Sequence, residues 1–148
     1  MINSATLLPL IAANQRRCDN CYKIFEDFGV LTKTLLTTNS NISNISVSLA
    51  SDLIEISFCK RTVAMALTTQ ISTGNSYLNA TVNLFYKKID FAGTASYLPL
   101  TPTSTFDFDQ VGITNLKMPD SPFDQIALGD DVQVMTLLLN VLDNLLMQ

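Results

Sequence analysis

The residue types that most often carry chemistry are sparse in this chain, and histidine is absent. Without an imidazole there is no Ser-His-Asp or Cys-His relay, no histidine-ligated metal and no side chain that ordinarily titrates near neutrality. An enzyme built here would have to run on carboxylates, lysine, tyrosine or an isolated cysteine. Cys18-Asp19-Asn20-Cys21 is a C-x-x-C, the spacing of a redox dithiol or of half a zinc site. A reactive dithiol of that kind opens a helix after a strand, where the dipole lowers the thiol pKa; here the pair lies inside a helical pattern and on its apolar stripe. Cys59 is the one further cysteine, so a four-thiolate zinc site lacks a ligand. Cys18 and Cys21 stand as redox candidates against a reading as buried, packing cysteines.

Phe106-Asp107-Phe108-Asp109 sets two carboxylates two residues apart. With Asp120 or Asp124 they offer oxygen ligands to calcium or magnesium, but the glycine-centred loop and closing glutamate of an EF-hand are missing. An edge strand that buries both phenylalanines and exposes both acids explains the spacing as well. Gly129-Asp130-Asp131 has the outline of a polymerase triplet and reads better as a helix cap. Lys60-Arg61 and Lys87-Lys88 are isolated pairs suited to turns and strand edges. With no phosphate-cradling glycine loop or internal repeat either, no cofactor or metal is expected.

Charge is more informative than any motif. The net charge of −4 speaks against a nucleic-acid backbone as ligand. It is unevenly distributed: residues 1–89 hold eight basic and five acidic side chains, residues 90–148 one basic (Lys117) and eight acidic. The second half is thus an acidic surface on paper, fit to solvate the protein or to steer a partner, a basic protein or the basic half of another copy. Asp107, Asp109, Asp120, Asp124 and Asp131 are the candidate protein-binding residues.

Of the 148 residues 47% are hydrophobic and 15% charged, against about 25% charged in ordinary soluble domains. A surface so poor in charge leads us to expect a cover for part of it, and hence a homo-oligomer such as a homodimer. An odd number of cysteines points to a reducing compartment. The apolar stretch Leu7–Ala13 has no basic residue before it and Arg16-Arg17 after it, the reverse of a secretory leader, and no run reaches membrane-spanning length. A cytoplasmic location without membrane association is the expectation. The acceptor patterns at Asn41, Asn44 and Asn79 then read as chance matches.

Four segments must position these residues, and they predict one α+β domain. Over residues 1–41 apolar side chains recur at helical spacing (Ile11, Cys18, Cys21, Phe25, Phe28, Leu35), with Pro9 near the start. Gly29 and the following threonines leave room for a kink or an early end. Residues 42–91 alternate with period two and predict a four-stranded antiparallel meander, with turns at Ala50–Asp52, Lys60–Arg61 and Ser72–Ser76. Residues 92–129 hold four of the five prolines; short edge strands at Tyr97-Leu98 and Thr105–Asp109 and one or two helical turns from Ser121-Pro122-Phe123-Asp124 are expected there. Residues 130–148 form the second helix, with Asp130 as cap. Apolar residues cover most of its circumference, more than one sheet face can use, so it is either sandwiched between sheet and first helix or part of a subunit interface.

These readings converge on a small non-enzymatic protein that acts by binding another through its acidic half, like an inhibitor, immunity factor or chaperone. A structural subunit of a symmetric assembly, a carboxylate or metal-dependent enzyme, and a binder of a small ligand among Phe25, Phe58 and Tyr86 are the rivals.

Overall fold

Alternating side chains hold a strand in place where one face finds a cover, and between residues 46 and 89 they do. The computed structural model describes residues 4–71, 77–118 and 121–148. Strands β1 (Ser46–Leu49), β2 (Leu53–Phe58), β3 (Arg61–Ile71) and β4 (Leu78–Ile89) follow one another as the expected antiparallel meander. Ile54, Met65 and Leu84 stand side by side across three strands, next to a row of Ile56, Val63 and Tyr86. All of these except the half-buried Tyr86 are buried.

Two further strands bring the number among the described residues to six. β5 (Ala95–Pro99) pairs with residues 85–89 of β4 and β6 (Thr105–Phe108) with residues 80–83. Both are antiparallel to β4 and lie along one edge of it, so together they act as a single edge strand interrupted at residues 100–104. Leu84 bridges the interruption: its carbonyl accepts from the Leu100 N–H at 2.9 Å and its own N–H donates to the Ser104 carbonyl at 2.7 Å. Pro99 and Pro102 sit at this edge, where a missing ladder donor does least harm.

The β2–β3 connection lies one residue earlier than its charge pair suggests. Cys59 (φ 51°) and Lys60 (φ 60°) form the turn, and Arg61 already pairs with Phe58. Two left-handed residues between paired strands make a type I′ turn, which matches the strand twist but favours Asn-Gly. Replacing Cys59-Lys60 by Asn-Gly is expected to stabilise the protein by about 1–2 kcal/mol by removing two side chains from left-handed backbone. The check is a higher urea midpoint at unchanged slope. The expected turn at Ser72–Ser76 lies outside the described residues.

Helix α1 (Ser4–Thr37) begins before Pro9 and passes Gly29 without a break, so the early end does not occur. Gly29 serves packing: a Cβ there would lie 3.2 Å from Leu49 Cδ2 and 3.4 Å from Ile54 Cδ1, so the missing side chain lets the helix approach the sheet. Helix α2 (Asp131–Leu146) starts as expected at Asp130, whose carboxylate accepts from the Gln133 N–H at 2.9 Å. Phe25, Phe28 and Leu36 of α1 and Val134, Leu137, Leu138, Val141 and Leu145 of α2 share one core with the inner sheet face. The two helices lie together on that face, and α2 is not sandwiched beneath α1.

One expected element is overturned. No helical turn forms from Ser121 to Asp124. The Ser121 hydroxyl does accept from the Phe123 N–H at 3.1 Å, but the chain beyond it bends at residues 124–125 and then bridges to Ile113 at Ala127. Ile126 and Leu128 alternate into the core, Thr114 N–H donates to the Ile126 carbonyl and Leu128 N–H to the Gly112 carbonyl, both at 2.9 Å. Long-range backbone bonds combined with burial of two large side chains outweigh a local start signal for which a single turn gains almost nothing.

Candidate functional site

The acids of the second half do not gather into one site. Asp109 closes a tight turn: its carboxylate accepts from the N–H groups of Val111 (3.0 Å) and Ile113 (2.9 Å), and Gly112 follows at φ 83°. Asp90 does the same with Ala92 and Thr94, both at 2.9 Å, and Gly93 at φ 81°. In both turns the Asp carbonyl accepts from the glycine N–H at 3.0 Å. A repeated local pattern, Asp90-Phe-Ala-Gly and Asp109-Gln-Val-Gly, therefore marks two identical turns in which the side chain mimics backbone and glycine supplies the left-handed residue. Sequence reasoning took Asp109 for a surface charge, although this spacing carried the signal.

Asp107 projects from β6, where its carboxylate accepts from the Thr81 hydroxyl at 2.7 Å. Asp124 and Asp131 are exposed and stand apart from that pair in the chain, Asp131 in the first turn of α2; Asp120 lies outside the described residues. Among the described residues no group of three or more Cys, Asp or Glu side chains is placed to hold a metal ion.

The dithiol candidates lie in the middle of α1. Cys21 is buried, Cys18 half-buried, and neither forms a disulfide. Gln110 Nε2 donates to Cys21 Sγ at 3.4 Å, and Asn20 Nδ2 donates to the Gln110 carbonyl at 2.8 Å, so this turn of helix is tied to the Asp109 turn. Burial pushes the Cys21 thiol above its ordinary pKa; the Gln110 donor works against this and nearby Cys18 adds to it. A raised pKa leaves less thiolate at neutral pH, the opposite of what a nucleophilic thiol needs. With a disulfide reagent near pH 8, Cys59 in its exposed turn is expected to react within the mixing phase and Cys21 only as the protein unfolds. Because the unfolded chain gives up this proton first, stability contributed by the protonated Cys21 thiol is full below the ordinary thiol range and falls as pH rises through and above it. Cys21→Ala is expected to flatten that alkaline decline in urea-denaturation midpoint.

Several depressions mark the surface. One, of about 530 Å³, opens between residues 41–44 and 58–60 and has Phe58, Cys59 and Lys60 in its wall, with no carboxylate among its lining residues. Phe25, expected beside Phe58 around a ligand, is instead packed wholly inside the core. Two smaller hollows of about 300 Å³ and 290 Å³ flank Asp109; in one, the Arg17 guanidinium stacks 3.9 Å from the Tyr77 ring centroid. On the open sheet face Leu53, Ala64, Phe85 and Tyr97 form an apolar dish, with the Tyr97 hydroxyl 3.4 Å from Glu55.

A second apolar feature lies on the helices. A groove of about 390 Å³ runs between Leu35 near the end of α1 and Val132, Met135 and Leu139 of α2, with Asp131 at its rim. Val132, Leu139 and Leu146 recur every seven residues along the outer side of α2 and are 65%, 49% and 43% exposed. That spacing is the seam by which one helix takes another. Lys117 is the last basic residue in the chain, so the charged residues of α2 itself are acids, Asp131 and Asp143, while the Arg61 guanidinium stands at the far end of the helix and donates to the Gln148 carbonyl at 2.7 Å. The excess apolar surface of this helix was readable from the sequence; which part of it stays uncovered was not. At the far end of α1, Leu8 and Ile11 are 69% and 53% exposed.

Among the described residues no helix is long and apolar enough to cross a membrane. Compared with known proteins, the chain matches no family model, no curated protein and no solved structure.

Proposed function

We propose that this chain is a non-enzymatic protein that acts by binding another polypeptide, and that the groove between the end of α1 and α2 is where it does so. The observation that carries the reading is the heptad-spaced seam of Val132, Leu139 and Leu146, uncovered beside Leu35, with Asp131 and Asp143 on the same helix. A helix laid there would bury apolar side chains at i, i+3, i+4 and i+7 and set basic ones against Asp131 and Asp143. The partner is accordingly an amphipathic helix with lysine or arginine beside its apolar face. Inhibition, immunity or chaperoning would all operate in this way. In the absence of histidine, and with Asp90, Asp109 and Asp130 holding backbone turns, the acids support recognition better than proton transfer.

A fluorescein-labelled peptide of leucine and lysine with helical amphipathicity tests this by anisotropy. Saturable binding is expected, weakened roughly tenfold, or about 1.4 kcal/mol, by Leu139→Glu. An otherwise identical peptide with glutamate for lysine should bind less tightly. Equal binding of both peptides, or indifference to the groove substitution, would refute the assignment.

A further inference from the structure

Of the two edges of the sheet, only one is guarded. The edge made by β5 and β6 is interrupted at residues 100–104 and carries Pro99 and Pro102. At the other edge β1 reads Ser46-Val-Ser-Leu49, with no proline, no charge and no bulge in its pairing with β2. The turn beside it shows which of its backbone groups are in use. Ala50 N–H donates to the Leu53 carbonyl at 2.8 Å, and antiparallel ladder bonds fall on alternate residues, so Ser48 and Ser46 bond to Glu55 and Ser57 of β2. The N–H and C=O groups of Val47 and Leu49 therefore point away from the sheet, and among the described residues nothing pairs with them. Two donors and two acceptors in strand geometry are a template for a further strand.

The helix above this edge carries matching charge. Helix α1 packs mainly against β1 and α2 against β3, so one flank of α1 faces α2 and the other overlooks the β1 edge. Gly29 marks the side turned to the sheet, since a Cβ there would meet Leu49 and Ile54. With 3.6 residues per turn, Leu35 is rotated about 120° from Gly29 toward the groove, while Lys33 and Glu26 are rotated about 40° and 60° the opposite way. Both are exposed, and the one ion pair among the described residues, Lys23 with Asp27, uses neither. Val30 on the same flank is 54% exposed and Leu49 at the edge 39%.

We propose that two copies of this chain join through β1, strand antiparallel to strand, about a two-fold axis at Ser48. Val47 of each copy then faces Leu49 of the other, four main-chain hydrogen bonds form, and the two sheets become one. The same axis sets the two α1 helices antiparallel. At Gly29 each lies above the Leu49–Ile54 pair, between β1 and β2, so with strands about 4.8 Å apart the helix axes stand about 10 Å from one another, the ordinary spacing of packed helices. Positions 26 and 33 are equally far on either side of residues 29 and 30, which stand beside the axis. Glu26 of each copy accordingly meets Lys33 of the other, with Val30 and Leu49 covered between them. A helix flank complementary in charge to itself, in the register that the strand sets independently, makes the occupant a second copy of this chain. The contact is isologous and closes at a dimer. The groove lies on the other flank of α1 and stays open in the pair.

Sedimentation equilibrium of the full chain, with hydrogen exchange read at single amides, tests this. The wild type is expected to be a dimer that grows no further. Its Val47 and Leu49 amides should exchange slowly in the dimer and lose that protection on dilution to monomer, while the Ser48 amide, bonded to Glu55, is slow in both. Glu26→Lys sets lysine against lysine at both ends of the helix contact and Lys33→Glu sets acid against acid, so each should weaken dimerisation roughly tenfold or more, about 1.4 kcal/mol. Both positions are exposed, and folding, checked by circular dichroism, is expected to persist. In an equimolar mixture one variant offers two bases and the other two acids, so a one-to-one dimer should return. A wild type that is monomeric at every concentration overturns the pairing, and so does a dimer whose Val47 and Leu49 amides exchange as fast as in the monomer. Charge variants that dimerise as tightly as the wild type, or a mixture that fails to restore what they lost, overturn the helix contact and the register with it. Binding of the labelled peptide to Glu26→Lys should equal that of the wild type, which keeps the groove and the edge separate.

Discussion

Truncation of Phe25 to alanine is expected to destabilise the protein by about 3–5 kcal/mol. The ring is fully buried on the inner side of α1, its centroid 6.1 Å from that of Phe28 with the planes tilted by 53°. Removal takes away both the transfer free energy of the ring and the contacts of everything lining the hole, because sheet and helix backbones on either side cannot collapse into it. An edge-tilted aromatic pair adds a further ~1 kcal/mol that alanine cannot replace. Against a typical total of about 5–15 kcal/mol this is a large share, so the variant should unfold at a much lower urea concentration with a similar slope. A loss under about 1 kcal/mol would mean that α1 is not seated in the core at this point. The consequence reaches the groove, since Leu35 of α1 forms one of its walls.

The second large effect is of opposite origin. Gly29→Val is expected to cost about 2–3 kcal/mol through overpacking. A Cβ alone already stands 3.2 Å from Leu49 Cδ2 and 3.4 Å from Ile54 Cγ1, and the two further carbons of valine must displace one of those side chains or lift the helix. Gly29→Ala isolates the terms. Alanine gains about 1 kcal/mol of helix propensity over glycine while asking its neighbours to yield by a few tenths of an ångström, so it should sit near neutral. A valine variant as stable as the alanine one would show that α1 does not approach β1 and β2 this closely. If valine lifts the helix, the gap between Leu35 and α2 widens, and peptide binding should weaken along with stability.

The candidate site was partly legible beforehand. The surplus of leucine and valine on α2 pointed to a covered face, because a nineteen-residue segment with so few polar positions cannot bury them all on one sheet. The acids misled more. Asp109 was read with Asp107 as one acidic feature, yet one holds a turn and the other leans on Thr81; the glycine three residues after Asp109 was the sign. The Asp107–Asp109 pair and Asp131 were grouped by sequence neighbourhood, and the fold places them on different elements.

What the amino-acid order determines here is whatever depends on neighbours within a few positions. Period-two alternation makes the meander, helical spacing makes α1 and α2, Asp130 caps its helix, and aspartate with glycine three residues later closes two turns, since each is settled by bonds that the segment forms with itself or with an adjacent strand. Tertiary structure decided the rest because the competing options were locally almost equal in free energy. Ser121–Asp124 holds a helix-start signal worth little beside the pairing of residues 126–128 with 112–114. Gly29 locally disfavours helix, but the close approach of Leu49 and Ile54 makes it the seat of α1 on the sheet. Which apolar side chains remain outside, Leu8 and Ile11 near one end of α1 and the groove at the other, was decided by tertiary structure, because a helix buries only the side chains that its neighbours reach.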